Sequence, residues 1–161
     1  MSWNLAQVNI ARAKDRFDDA AMTGLTSRMA DMNGLAESSP GFVWRFTSES
    51  DDENRLELFS DYFVPFDRMR FFFNMSVWKT VEDLQHYAFR TDHHEMFRGR
   101  RSWIDSLSRA HSALWWVPGE SRPTVAEAKA RLIQVDCVGP SQSAFTLARA
   151  FPPPSRPQPN S

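Results

Sequence analysis

The sequence predicts an α+β fold: a ferredoxin-like antiparallel sheet with helices on one face. Two observations predict it. Segments of strand and helix periodicity follow one another as β-α-β-β-α-β, with a helical insertion and a terminal helix-strand unit added. The strand segments are also apolar or aromatic on both faces. Phe42, Trp44 and Phe46 alternate with Val43. Phe71, Phe73, Met75 and Val77 alternate with Phe72 and Trp78, and Trp115 sits between Leu114 and Trp116. Helices on one side cover one face, so the other must meet something. Two such sheets face to face make a homodimer with a closed, barrel-like interior, which is the favoured expectation. The alternative is a monomer whose insertion folds over the second face.

Each element has its own signal. Leu5 to Ala11 alternates as a strand, with Ala6, Val8 and Ile10 on one face and Leu5, Gln7, Asn9 and Ala11 on the other. Ala20 to Glu37 reads as a helix, because Met22, Leu25, Met29, Met32 and Ala36 form one stripe. Ser39-Pro40-Gly41 breaks the chain before a second strand, Gly41 to Thr47. Ser48 to Asn54 is a charged turn, and Arg55 to Phe59 reads as a short strand or extension. Asp61 to Arg70 is irregular. Phe71 to Lys79 is the strongest strand signal. Thr80, with Asp83 three residues on, opens a helix carrying Val81, Leu84 and Tyr87. Ser112 to Pro118 is a strand, followed by a turn to Pro123. Thr124 and Glu127 form a capping box for a helix to about Asp136, and Ser143 to Ala148 is a last strand. Residues 1–150 thus make a single domain. The stretch 151–161 is a proline-rich tail that the composition marks as disordered.

Composition excludes several function classes. The net charge of −1 suggests neither a nucleic-acid nor a membrane surface. The single cysteine, Cys137, forbids an internal disulfide and fits a reducing compartment, with the cytoplasm as default. No apolar run reaches transmembrane length. A Gly-rich phosphate loop, HExxH and CxxC are all missing, which disfavours nucleotide cofactors and zinc hydrolysis. Thirteen Phe and six Trp are available to build a core and to line a pocket.

Asp92 to Leu107 supplies the candidate chemistry. Wound as a helix, it places Met96, Phe97, Trp103, Ile104 and Leu107 within about 80° of His93, and Arg100 falls in the same apolar stripe. A buried unpaired cation is costly, so Arg100 needs an anionic partner or a ligand. Asp92 and Glu95 have capping-box spacing. His93 would then sit at the positive end of the helix dipole, which favours neutral imidazole, the form that binds metal or accepts a proton. The bland reading gives His93 a backbone hydrogen bond and Arg100 a nearby carboxylate. Elsewhere, Gln7 and Asn9 share a strand face, as do Asn74 and Ser76, and Arg45 lies on the second strand. They are pocket candidates or solvated edge positions. Trp44, Trp78, Trp103 and Trp116 are the aromatic candidates for holding a flat apolar ligand.

Three segments together carry a resemblance: NLAQVNIAR at Asn4 to Arg12, SPGFVWRF at Ser39 to Phe46, and the stretch from Met75 to Ile104 continued by ALWWVPGESRPTVAEAKARL at Ala113 to Leu132. They resemble a bacterial domain family of unknown function related to the dimeric α+β barrel superfamily, which includes antibiotic-biosynthesis monooxygenases. That superfamily hosts oxygenases, haem enzymes, isomerases, dehydratases and proteins with no known chemistry. The segment FRTDHHEMFRGRRSW is also similar to carotenoid-modifying spheroidene monooxygenases, a haem-dependent group. That similarity implies His93 as the haem ligand, with Arg100 or Arg101 pairing a propionate.

The resulting expectation is a monooxygenase-like enzyme acting on a small, apolar secondary metabolite. It uses haem held by His93, or no cofactor with His93 as general base and Arg100 beside it. A non-oxidative cyclase, isomerase or dehydratase, and a ligand-binding dimer without chemistry, are the alternatives.

Overall fold

The computed structural model describes residues 2–47, 55–62, 65–89, 104–105 and 107–154, apart from the side chain of Leu25. Four strands, β1 (Trp3–Arg12), β2 (Phe42–Arg45), β3 (Phe71–Trp78) and β4 (Ser112–Pro118), form one sheet in the order β2-β3-β1-β4. All three pairings are antiparallel. This is the ferredoxin-like order expected from the sequence. β1 lies at the centre because its two faces are both apolar enough to be covered: Leu5, Ala6 and Val8 have no exposure.

The two helices of the ferredoxin-like unit pack on one face. α1 (Thr23–Glu37), preceded by a 3-10 turn at Ala20–Met22, brings Met32 and Ala36. α3 (Val81–Ala88) brings Leu84 and Tyr87. They rest on Leu5, Trp78 and Leu114, which the strand registers put on the same side. The N-cap of α3 is as the spacing predicts, with the Thr80 hydroxyl accepting from the Asp83 N–H at 3.1 Å. Gly41 has φ +82° and lies against the Asp83 side chain, so a residue without Cβ is what lets the chain turn into β2 beneath α3.

The opposite face is covered as well, by α2 (Arg55–Phe59) and α4 (Val125–Val138). Val125, Ala128 and Leu132 of α4 are fully buried on Ala6, Val8, Val77 and Trp115. Trp115 Nε1 also donates to Glu127 at 3.0 Å. Phe59 of α2 is fully buried against Phe71 and Phe73, with ring centroids 5.4 and 5.7 Å away. Each such side chain contributes about 1.5–3 kcal/mol on burial, so this face has a strong reason to be filled. It is filled from within the chain, by α2 and α4.

Four expectations are corrected. Arg55 to Phe59 is a helix and not a strand, because Leu56 and Phe59, three residues apart, then reach the same cluster. Trp44 does not share a face with Phe42: the register shifts between them, so Phe42 opposes Trp78 while Trp44 opposes Val77. Ser143 to Ala148 is not a strand. Only Phe145 bridges Leu114, and turns at Ser141–Ala144 and Thr146–Arg149 fold the chain away on either side. The helix read from Asp92 does not reach Leu107, because Ile104 forms an antiparallel bridge with Ala13 and Asp105 donates its N–H to the Arg12 carbonyl at 2.8 Å. At the start of the proline-rich stretch, Phe151 packs on Phe145 with centroids 5.9 Å apart, and its carbonyl accepts from Trp116 Nε1 at 2.9 Å.

Candidate functional site

A cavity of about 460 Å³ lies between the sheet and the α1/α3 layer. Its floor is the polar part of the sheet face. Gln7 opposes Ser76 and Asn9 opposes Asn74 across β1 and β3, so four polar side chains project to one side in two adjacent rungs. They are joined: Gln7 Nε2 donates to Ser76 Oγ at 2.6 Å and to Asn74 Oδ1 at 3.2 Å, and Asn9 Nδ2 donates to Gln7 Oε1 at 2.8 Å. Beside the row, on the same face of β3, Trp78 Nε1 donates to Ser76 Oγ at 2.8 Å. Met29 and Met32 from α1, Leu84 from α3, Ile104, Leu107 and Leu147 give the walls and roof their apolar part, and Asn33 and His111 also line the cavity. Large apolar walls over a few convergent polar groups are what a small-molecule site requires.

Tyr87 also borders the cavity, from α3. Its hydroxyl donates to the Met32 carbonyl at 3.1 Å, and its ring stacks on Trp78. Burial pushes its pKa up to about 12, so it is a neutral phenol at ordinary pH. Arg45 lines the cavity from β2 and is paired with Glu37 at 2.6 Å. Asp105 lines the far end, where it accepts from Arg12 Nε at 3.2 Å and Arg70 Nη2 at 3.0 Å.

The candidates from the sequence divide into three groups. Gln7, Asn9 and Asn74 come together on the cavity floor, with Arg45 and Ser76 beside them. Trp44, Trp78 and Trp116 do not line it. Trp44 packs with the core on the other sheet face, Trp78 is fully buried beside Ser76, and Trp116 is turned toward Phe151 by its indole hydrogen bond. His93, Arg100, Arg101 and Trp103 lie outside the described residues. Sequence reasoning did not place Tyr87, Asp105 or His111 at the site. Tyr87 was visible only as one apolar position of a helix, and the contribution of Asp105 depends on a bridge between distant segments.

Among the described residues there is no cluster of three or more His, Cys, Asp or Glu able to hold a metal. None of their helices is long and apolar enough to cross a membrane.

A family model, the domain of unknown function DUF3291, matches residues 4–161. The chain belongs to this family. No curated protein matches it. Three solved structures similar to this DUF3291 chain are SnoaB, a cofactor-independent oxygenase from Streptomyces nogalater, PA3566 from Pseudomonas aeruginosa, and a dimeric ferredoxin-like protein of unknown function from Jannaschia sp. CCS1. SnoaB is 13% identical, with 74% of this chain and 95% of that chain covered and a TM-score of 0.45. PA3566 is 10% identical, covering 75% and 98%, with a TM-score of 0.47. The Jannaschia protein is 12% identical, covering 73% and 99%, with a TM-score of 0.43.

Proposed function

We propose that this DUF3291 chain is a small-molecule enzyme that binds a flat, largely apolar secondary metabolite in the cavity between the sheet and α1/α3 and oxidises it in a monooxygenase-like reaction. The observation that carries the binding part is the cavity itself, with its row of amides and a hydroxyl under apolar walls. Such a row fixes the polar edge of a ligand, while Met29, Met32 and Leu84 take up its apolar body. The oxidative part rests on the sequence resemblance. In the cofactor-free form His93 is the general base, Arg100 holds the developing anion, and molecular oxygen is the oxidant. In the haem form His93 ligates iron, with Arg100 or Arg101 on a propionate. A second reading, ligand binding without chemistry, is favoured by one observation: the floor groups are amides and a hydroxyl, which orient a ligand but do not titrate near neutral pH. A homodimer also belongs to the proposal.

Oxygen uptake by wild type and His93→Ala, with phenolic and ketonic polycycles as trial substrates, tests the enzyme. Turnover lost in the variant is expected. Full turnover in His93→Ala would remove the histidine from the mechanism, and binding without uptake would leave the second reading. Hemin titration followed by absorbance separates the two forms: a stoichiometric Soret band lost in His93→Ala selects haem, and its absence from wild type removes haem.

A further inference from the structure

We infer that Ser76 is a specificity-determining hydrogen-bond donor, and that the cavity selects neutral ligands carrying an acceptor oxygen, such as a ketone carbonyl, on an apolar body. This rests on the reading of the cavity as a ligand site. The argument begins with the indole beside it. Trp78 Nε1 can only donate, and it donates to Ser76 Oγ at 2.8 Å. Gln7 Nε2 donates to the same oxygen at 2.6 Å. Both lone pairs of the serine oxygen are then occupied, and its own O–H is the one position left. Among the described residues no acceptor takes that proton. Ser76 is 5% exposed, so bulk water reaches it little, yet it borders the cavity. A buried donor left without a partner is costly, and an acceptor oxygen entering the cavity removes that cost.

The polarity of the row supports this assignment. Gln7 is itself 6% exposed. As oriented, both of its N–H groups are used, on Asn74 and Ser76, and its carbonyl accepts from Asn9. Turned over alone, its oxygen would face the Asn74 Oδ1 and its NH2 would face the Asn9 NH2, acceptor against acceptor and donor against donor. Gln7 therefore holds Ser76 as an acceptor toward the protein and a donor toward the ligand. A ligand with a hydroxyl that must itself donate to Ser76 meets an oxygen already saturated, so the site discriminates by hydrogen-bond direction as well as by shape.

The test uses 1-tetralone and tetralin, which differ by one carbonyl oxygen, with wild type and Ser76→Ala. Affinities are read by fluorescence quenching or calorimetry, and the melting temperature of the variant is checked first. Wild type is expected to bind 1-tetralone the more tightly. Ser76→Ala is expected to weaken 1-tetralone about tenfold, as loss of one neutral hydrogen bond implies, and to leave tetralin unchanged. Equal effects on both probes, or none on either, would overturn the role of Ser76 while leaving the cavity a ligand site. Failure of wild type to bind either probe would overturn both.

Discussion

Tyr87 of α3 stacks on Trp78 of β3, with ring centroids 5.1 Å apart and planes 25° from parallel. The pair fixes the roof of the cavity to its floor, because the Trp78 indole also supports Ser76 and the Tyr87 hydroxyl reaches across to the Met32 carbonyl of α1.

That burial makes the phenol a probe of the fold. The chain has two tyrosines, Tyr62 and Tyr87, and desolvation pushes both up to about 12. In the unfolded chain they ionise near 10. The stabilisation is thus complete below pH 10 and lost as pH rises from about 10 to 12, since the unfolded state gives up its protons first. Absorbance at 295 nm should show no ordinary tyrosinate step near pH 10 while the protein stays folded, and urea midpoints should fall across that window. Tyr87→Phe should flatten the fall. A normal step at pH 10 in folded protein would contradict the burial.

Phe59 tests what covers the second sheet face. It is fully buried between α2 and the Phe71–Phe73 strand positions. Phe59→Ala is expected to cost about 3–5 kcal/mol in urea unfolding. A loss under about 1 kcal/mol would mean that α2 does not pack there.

Gly41 tests the turn into β2. Its φ of +82° suits glycine, and an added Cβ would collide with the Asp83 side chain. Gly41→Ala is therefore expected to destabilise by about 1–3 kcal/mol. Combining it with Asp83→Gly, which removes the Asp83 carboxylate and Cβ together, should relieve the clash and leave only the backbone part, so a loss smaller than the sum of the two single variants is the observable. Additive losses would show that the two residues do not meet.

Asp105 tests how the cavity end is held. Its carboxylate binds Arg12 and Arg70 while Ile104 bridges Ala13, so one residue ties two strand ends and the wall carrying Leu107. Its side chain and those of both arginines are about one quarter exposed, which reduces the worth of each charged contact. Asp105→Ala is expected to lose about 1–2 kcal/mol, less so in high salt, and to weaken tetralin binding. Unchanged tetralin affinity would mean the wall stands without the pair.

Several features were legible without the fold. Period-two alternation placed β1, β3 and β4, and the Thr80–Asp83 and Thr124–Glu127 spacings placed the starts of α3 and α4. These signals are local: a side-chain period or a cap is written in neighbouring residues. Alternation also showed that Gln7 and Asn9 share a face, as do Asn74 and Ser76. It could not show that the two pairs meet, because that needs the β1–β3 register, which brings Gln7 to Ser76 across 69 residues of chain and Asn9 to Asn74. The aromatic candidates failed for a related reason. Trp44 was assigned by parity, and a register shift of one residue moves it to the other side of the sheet. The cover over the second face was likewise a contest between a partner chain and the chain's own helices. Hydrophobicity says only that such a face must be buried. Which element buries it is decided by packing α2 and α4 together on the sheet, a relationship among segments that no local pattern contains.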